Sequence, residues 1–363
     1  MKIQIQKNAL IEKLTLASKF TSSRLSSLSV LQGVLIKGEK NTIHFYSTNL
    51  NSYFHTTLKV KENVDFQIAV EPKKIIEFLS LLSFAEVDIE IKEKQLNILS
   101  KKTRGAFPLL LTKDFPMPPK GKDKTKKIKS TFFIKNLPLV LFSASSDQTR
   151  PALSGVNFLT QEDEMVMVAT DGFRLSLLRV KKEIDLPSMI IPSGFLGEIL
   201  RLMKDKEVEF EYIEEEKTVV FKMGDDEFYS RLIEGDYPPF EKVIPTDKKT
   251  TIVVDREEFL RKVRLISVFA RDLSHIVLLK VEENGIKLQP KTEKEEDNTT
   301  QLEAKVKGED QITAFNYKFL VGFLSSVSSK NIIIEMVRSD SPVVFRTDDN
   351  ENFLHIIMPV KVE

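Results

Sequence analysis

A unit of about 60 residues recurs six times along this chain, and self-similarity at a fixed period means one supersecondary unit copied and packed beside its copies. Each copy opens with a short apolar or alternating run, at residues 1–5, 65–70, 130–134, 188–192, 250–254 and 311–315. Such runs predict strands. A polar hinge follows, and then apolar residues three or four apart predict helices over 9–20, 74–82, 137–144, 195–203, 259–269 and 319–327. After each helix comes a stretch rich in Val, Ile, Phe and Leu with strand-like alternation.

Punctuation groups the repeats in pairs. Phe115-Pro116-Met117-Pro118-Pro119-Lys120-Gly121 and the charged run from Lys122 to Lys129 predict a solvated linker, because proline interrupts both ladders and helices. Tyr237-Pro238-Pro239-Phe240 through Pro245 to Lys249 predicts a second. The domains expected are 1–120, 129–246 and 247–363, each two repeats long, as suits a chain of 363 residues that is 41% hydrophobic. Lys291 to Thr300 lies inside a repeat without Pro or Gly and reads as a long hairpin loop.

Composition excludes much chemistry. With no Cys there is no disulfide, thiolate nucleophile or zinc-thiolate site. There are four His, no P-loop and no Gly-x-Ser-x-Gly. Asp225, Asp226 and Glu227 follow Gly224 between two strand-like runs and predict a solvated turn rather than a cation site. Residues 1–10 lack the apolar core of a signal peptide, and no apolar run nears the roughly 20 residues of a membrane helix, so the expected compartment is the cytoplasm. Net charge is only +1, yet the six helices with their flanks sum to roughly +7 and the remainder to roughly −6.

One helix on three or four strands cannot bury both faces, so paired repeats predict an antiparallel sheet with two helices on one face. Three such domains leave open sheet edges, which two copies joined head to tail would close into a ring, sheets outside and helices inside. A mildly basic helical lining suits a phosphate backbone and reads no bases.

Several segments carry a resemblance over the whole length. Arg24 with Leu28-Ser29-Val30-Leu31 resembles an Arg-x-Thr-Leu-Pro-Ile-Leu segment, with Ser29 for Pro. Ala169-Thr170-Asp171-Gly172-Phe173-Arg174-Leu175 resembles Ala-Thr-Asp-Gly-His-Arg-Leu, with Phe173 for His. Gly235-Asp236-Tyr237-Pro238 with Val243-Ile244-Pro245, Ala314-Phe315-Asn316-Tyr317 with Phe319-Leu320, Ser341-Pro342-Val343-Val344 and Ile357-Met358-Pro359-Val360 follow in the same order. All are similar to the bacterial sliding clamp, the beta subunit of DNA polymerase III.

The resemblance implies an α+β DNA-clamp fold and a non-catalytic processivity factor without cofactor or metal. It implies a homodimeric ring on double-stranded DNA, placed by a clamp loader, that tethers the polymerase III alpha subunit and other proteins through a peptide pocket. At matching pocket positions stand Leu153, Thr170, Gly172, Phe173, Arg174, Leu175, Pro238, Val243, Pro342, Ile356, Met358, Pro359 and Val360. Met and aliphatic side chains adapt to varied peptides, and Gly172 allows close backbone approach. Arg24 matches a DNA-reaching loop, with Lys73, Arg150 and Arg271 as further contacts on or beside the inner helices. Phe107 and Leu109 match an interface strand, and Leu265 and Ile266 the helix facing it. Pro108 departs from the pattern by removing a ladder donor. Two other classes compete: an enzyme on repeated α/β units, which lacks a convergent catalytic set, and a ring scaffold without DNA.

Overall fold

The computed structural model describes residues 2–22, 29–122, 125–203, 207–271, 274–291 and 298–361. Arg24 and Leu28 lie outside them. All strand pairing among the described residues is antiparallel. The chain divides into two compact units, Met1–Ser130 with Met203–Leu232, and Thr131–Leu202 with Ile233–Glu363. The units therefore cut across the middle third of the sequence.

The first unit opens on β1 (Lys2–Gln6), which turns straight into α1 (Lys7–Ser18). Leu10, Leu14 and Ala17 of α1 are buried at helical spacing. In α2 (Pro72–Leu81) Pro72 stands at the helix start, where its missing N–H has no intrahelical partner to lose, and Ile75 and Leu79 face the core. One sheet runs β1, β4 (Glu86–Ile91), β5 (Gln95–Ser100) and β6 (Thr103–Pro108), so β6 is an edge. The other runs β2 (Val34–Thr48), β3 (Ser52–Val70), β14 (Asp226–Arg231), β13 (Thr218–Met223), β12 (Glu207–Ile213) and β7 (Lys126–Lys129). Ile3, Leu14, Phe45, Ile75, Ile89 and Ile98 meet in the core between the sheets and the two helices.

Three expectations fail here. Residues 130–134 are not a strand; they open α3 (Ser130–Leu141). Phe133, Leu137 and Val140 are all buried at spacings of four and three, so helical periodicity overrides the strand preference of Thr131-Phe132-Phe133-Ile134. The strand is β7, within the lysine run expected to be a solvated linker. It buries only Ile128 and pairs with β12, an edge strand whose lysines discourage further pairing. The carboxylates also differ from a solvated turn. Asp225 is exposed beside Gly224 at φ +67°, but Asp226 and Glu227 are half-buried on β14. Asp226 accepts from Lys13 Nζ at 2.8 Å, and Glu227 accepts from Tyr229 Oη at 2.7 Å and contacts His55 Nδ1 at 2.9 Å. No group of three metal-ligating side chains occurs among the described residues.

The second unit holds a nine-stranded sheet in the order β11 (Met189–Pro192), β8 (Gly155–Thr160), β9 (Glu164–Thr170), β10 (Arg174–Lys181), β23 (Asn350–Ile357), β22 (Val343–Thr347), β21 (Asn331–Met336), β15 (Thr250–Asp255) and β19 (Lys305–Lys307). A second sheet runs β18 (Thr300–Glu303), β17 (Gly285–Pro290), β16 (Ile276–Glu282) and β20 (Gln311–Asn316). Helices α4 (Ser193–Leu202), α5 (Arg256–Ala270) and α6 (Tyr317–Ser326) each begin directly after a strand. The last residue of the strand caps two of them: Asp255 accepts from Glu258 N at 2.8 Å and Asn316 from Lys318 N at 3.0 Å. β17 and β18 pair as a hairpin, while residues 292–297 of its loop lie outside the described set.

Helix α5 corrects the expected interface pair. Ile266 is 1% exposed and belongs to the core of its own unit with Phe259 and Val263, so it presents no surface to a partner. Leu265 is 50% exposed, and so are Val268 at 58% and Phe269 at 45%. The helical period turns Ile266 inward with Val263 and Ala270, and turns Leu265, Val268 and Phe269 outward.

Candidate functional site

The most concentrated apolar cavity at the predicted positions lies within the second unit. It has a volume of about 220 Å³ and is lined by Leu153, Thr170, Gly172, Arg174, Leu175, Pro238, Pro239, Phe240, Val243, Ile356 and Met358. Nine of these are predicted pocket residues. The floor comes from the pairing of β10 with β23, where Leu175 stands opposite Ile356. Beneath it Val168, Leu177, Val344 and Leu354 form a buried cluster with Phe240. Val243 and Met358, 41% and 37% exposed, keep apolar surface in reach of solvent at the mouth.

The β9–β10 turn is built by its own side chains. Thr170 Oγ1 donates to the Arg174 carbonyl at 2.6 Å and accepts from Gly172 N at 3.0 Å. Asp171 accepts from the amides of Phe173 and Arg174 at 2.9 and 3.0 Å and from Arg174 Nε at 3.0 Å. Gly172 sits at φ +91°, and a Cβ there would lie 3.0 Å from the Arg150 guanidinium. Phe173 presents its carbonyl to Met358 N at 2.8 Å, which ties the C-terminal segment to the turn.

Behind the floor, alternate residues of the same strands point to the opposite face. Ser143 Oγ, Ser176 Oγ and His355 Nδ1 form a buried chain with steps of 2.7 and 2.8 Å, and the His355 ring stacks on Phe323 at 4.8 Å. Burial, with the Arg174 charge added, holds the His355 imidazole well below its ordinary pKa. Arg174 lies over the Phe319 ring at 4.9 Å, so its charge is stabilised by an aromatic face as well as by Asp171. The arrangement is an apolar socket braced by hydrogen-bonded polar groups, with His355 Nε2 buried behind it without a hydrogen-bond partner among the described residues; it is suited to binding, and no nucleophile–base pair lines the cavity.

The remaining predicted residues fall elsewhere. Phe173 is 58% exposed and stacks on Phe319 with ring centroids 6.4 Å apart, beside the cavity rather than lining it. Pro342, Pro359 and Val360 are half-buried and do not line it; Val360 N is bound to the Ala314 carbonyl at 2.8 Å. Arg150, expected as a DNA contact on or beside an inner helix, ion-pairs with Asp147 at 3.1 Å and borders Gly172 in the pocket turn. Lys73 on α2 and Arg271 after α5 are exposed. Phe107 and Leu109 are half-buried at the β6 edge, with Phe107 edge-on to Phe78 at 5.5 Å. Pro108 stands opposite Gln95, and the ladder resumes through Leu109 N to the Lys94 carbonyl at 3.1 Å. Sequence reasoning missed Pro239 and Phe240. Their signal was present in Pro238-Pro239-Phe240, an apolar run at the start of a segment from which only Pro238 and Val243 were assigned to the pocket.

Family models of the DNA polymerase III beta subunit match end to end: its N-terminal domain over residues 1–119, its central domain over 127–239 and its C-terminal domain over 241–361. The chain belongs to the DNA polymerase III beta subunit family, the bacterial sliding clamps. Beta sliding clamps of Bacillus subtilis and Treponema pallidum are 27% and 26% identical to it; the alignments cover 99% and 100% of this chain and all of each relative. A crystal structure of the Bacillus subtilis sliding clamp superposes with a TM-score of 0.91 at 25% identity, covering both chains fully. A Bartonella birtlesii sliding clamp bound to griselimycin superposes at 0.92 with 24% identity, again over both full chains. The fold is thus the three-domain clamp fold of antiparallel sheets and few helices, and the family is the non-catalytic processivity subunit of the polymerase. No helix among the described residues is long and apolar enough to cross a membrane.

Proposed function

We propose that this chain closes as a head-to-tail homodimeric ring around duplex DNA and there holds the polymerase III alpha subunit and other replication and repair proteins. A clamp loader opens and places it, and it works in the cytoplasm. The observation that carries this reading is the 220 Å³ apolar cavity, whose exposed Val243 and Met358 invite a short apolar peptide anchor. The domains are taken as 1–120, 129–246 and 247–363. Closure pairs the free β6 edge, with Phe107 and Leu109, against the partner's α5, where Val268 and Phe269 replace Ile266 beside Leu265. Arg24, Lys73 and Arg271 are proposed to meet phosphates, and Arg150 is reassigned to the pocket rim.

Loading on nicked circular DNA tests the reading. The protein should stay on the circle through a gel-filtration column and leave when the circle is linearised. Equal retention on circular and linear DNA would exclude encirclement. Mass by light scattering separates a ring of two from any other assembly.

A further inference from the structure

Within the second unit the long sheet forks at the end of the β10–β23 pair remote from the pocket. The ladder runs from Arg174–Ile357 to Leu178–Phe353 and stops. Yet β10 continues to Lys181 against β9, and β23 begins at Asn350. For Arg179, Val180 and Lys181, the strand edge away from β9 has no ladder partner among the described residues. An unpaired edge of this kind is a template for another strand.

A groove of about 630 Å³ occupies the fork, with Phe132 and Leu139 of α3 and Thr347 of β22 among its walls. Thr347 is 6% exposed, and its Oγ1 is buried without a hydrogen-bond partner among the described residues.

The edge also states what would fit it. Side chains alternate along β10, so Leu178 and Val180 share one face and Arg179 and Lys181 the other. Lys181, and Lys135 across the groove, form no ion pair among the described residues, and Arg179 reaches only Glu164 at 3.8 Å. Glu183 and Asp349 also line the groove, so its balance is one positive charge, with two of its three cations on the open strand. An added strand would set apolar residues beside Leu178 and Val180 and acidic residues beside Arg179 and Lys181.

We propose that this fork is a second docking site, separate from the Leu175–Met358 pocket, which takes an extended partner segment of alternating apolar and acidic residues by strand addition to β10. The proposal does not depend on the pocket reading.

A blocked, fluorescently labelled hexapeptide of alternating Glu and Val, titrated into the full chain and followed by anisotropy, tests it. Saturable binding is expected. It should weaken at least tenfold with Arg179→Glu plus Lys181→Glu. Met358→Ala should leave it unchanged. The same pattern built from Lys and Val should bind at least tenfold more weakly, and N-methylation of the amides along one edge of the Glu–Val peptide should abolish binding. The inference is overturned if the Glu–Val peptide does not bind, if the double variant binds it equally, or if Met358→Ala removes it.

Discussion

At the scale of single residues, the first unit carries a cluster of ionisable side chains across its sheet. His44 Nδ1 lies 3.1 Å from His55 Nε2, His55 Nδ1 lies 2.9 Å from Glu227, and Lys222 approaches the same carboxylate at 3.5 Å. The hydrogen bond from His55 comes first among the causes that hold Glu227 at about 2, against an ordinary value of 4.5, and it prevails over burial. A depressed carboxylate stabilises the fold above its unfolded value and loses that contribution as pH falls from 4.5 toward 2. Burial, then the neighbouring His55, lowers the His44 pKa from 6.5, so the fold favours neutral His44 and loses stability as pH falls below 6.5. Urea denaturation should therefore show two acid limbs. His44→Gln should flatten the upper one and Glu227→Gln the lower, and Glu227→Gln should cost about 1–3 kcal/mol at pH 7. In the pocket turn, Gly172→Ala would pay about 1–2 kcal/mol for its left-handed backbone and crowd the Arg150 guanidinium. Peptide affinity, measured by calorimetry, should drop with little change in dimer mass.

At the scale of elements, α5 separates packing from assembly along a single turn. Val268→Glu with Phe269→Glu should yield folded monomers by light scattering, because both side chains already stand in solvent in the isolated chain. Ile266→Glu should instead unfold its unit, since it buries an unpaired charge beside Phe259 and Val263. A dimer that persists at micromolar concentration in the first variant would remove α5 from the interface. The C-terminal segment is a second such element. It is held by Met358 N on the Phe173 carbonyl and Val360 N on the Ala314 carbonyl, both at 2.8 Å. Deleting residues 358–363 should weaken peptide binding at least tenfold and leave retention on circular DNA nearly intact. Helix α3 shows why element type was readable in five repeats and not in the third. Four residues of high strand propensity concealed a buried face of Phe133, Leu137 and Val140 that only continues in register four and seven positions on.

At the scale of the whole molecule, a net charge of +1 leaves little long-range attraction for DNA. Binding by the unloaded protein should therefore disappear as salt rises, each neutralised phosphate adding about 0.9 to the slope of log affinity against log salt. Protein loaded on a closed circle should survive the same salt, since encirclement needs no ion pairs; loss from intact circles while the dimer persists would replace encirclement with surface binding. By itself the sequence determined the repeat and the strand-to-helix placement in five of its six copies, because these follow from periodicity over neighbouring residues. It also determined much of the pocket, since Thr170 to Leu175 are consecutive and their turn is closed by local hydrogen bonds. Tertiary structure alone decided what depends on distant partners. It made β7 a strand because β12 offers an edge, turned Ile266 into core by setting the rotation of α5, and brought Pro239 and Phe240 to the cavity. It placed Arg150 beside Gly172 and ended the β10–β23 ladder at Leu178. Burial and pairing are properties of two segments at once, and no single stretch of chain carries that information.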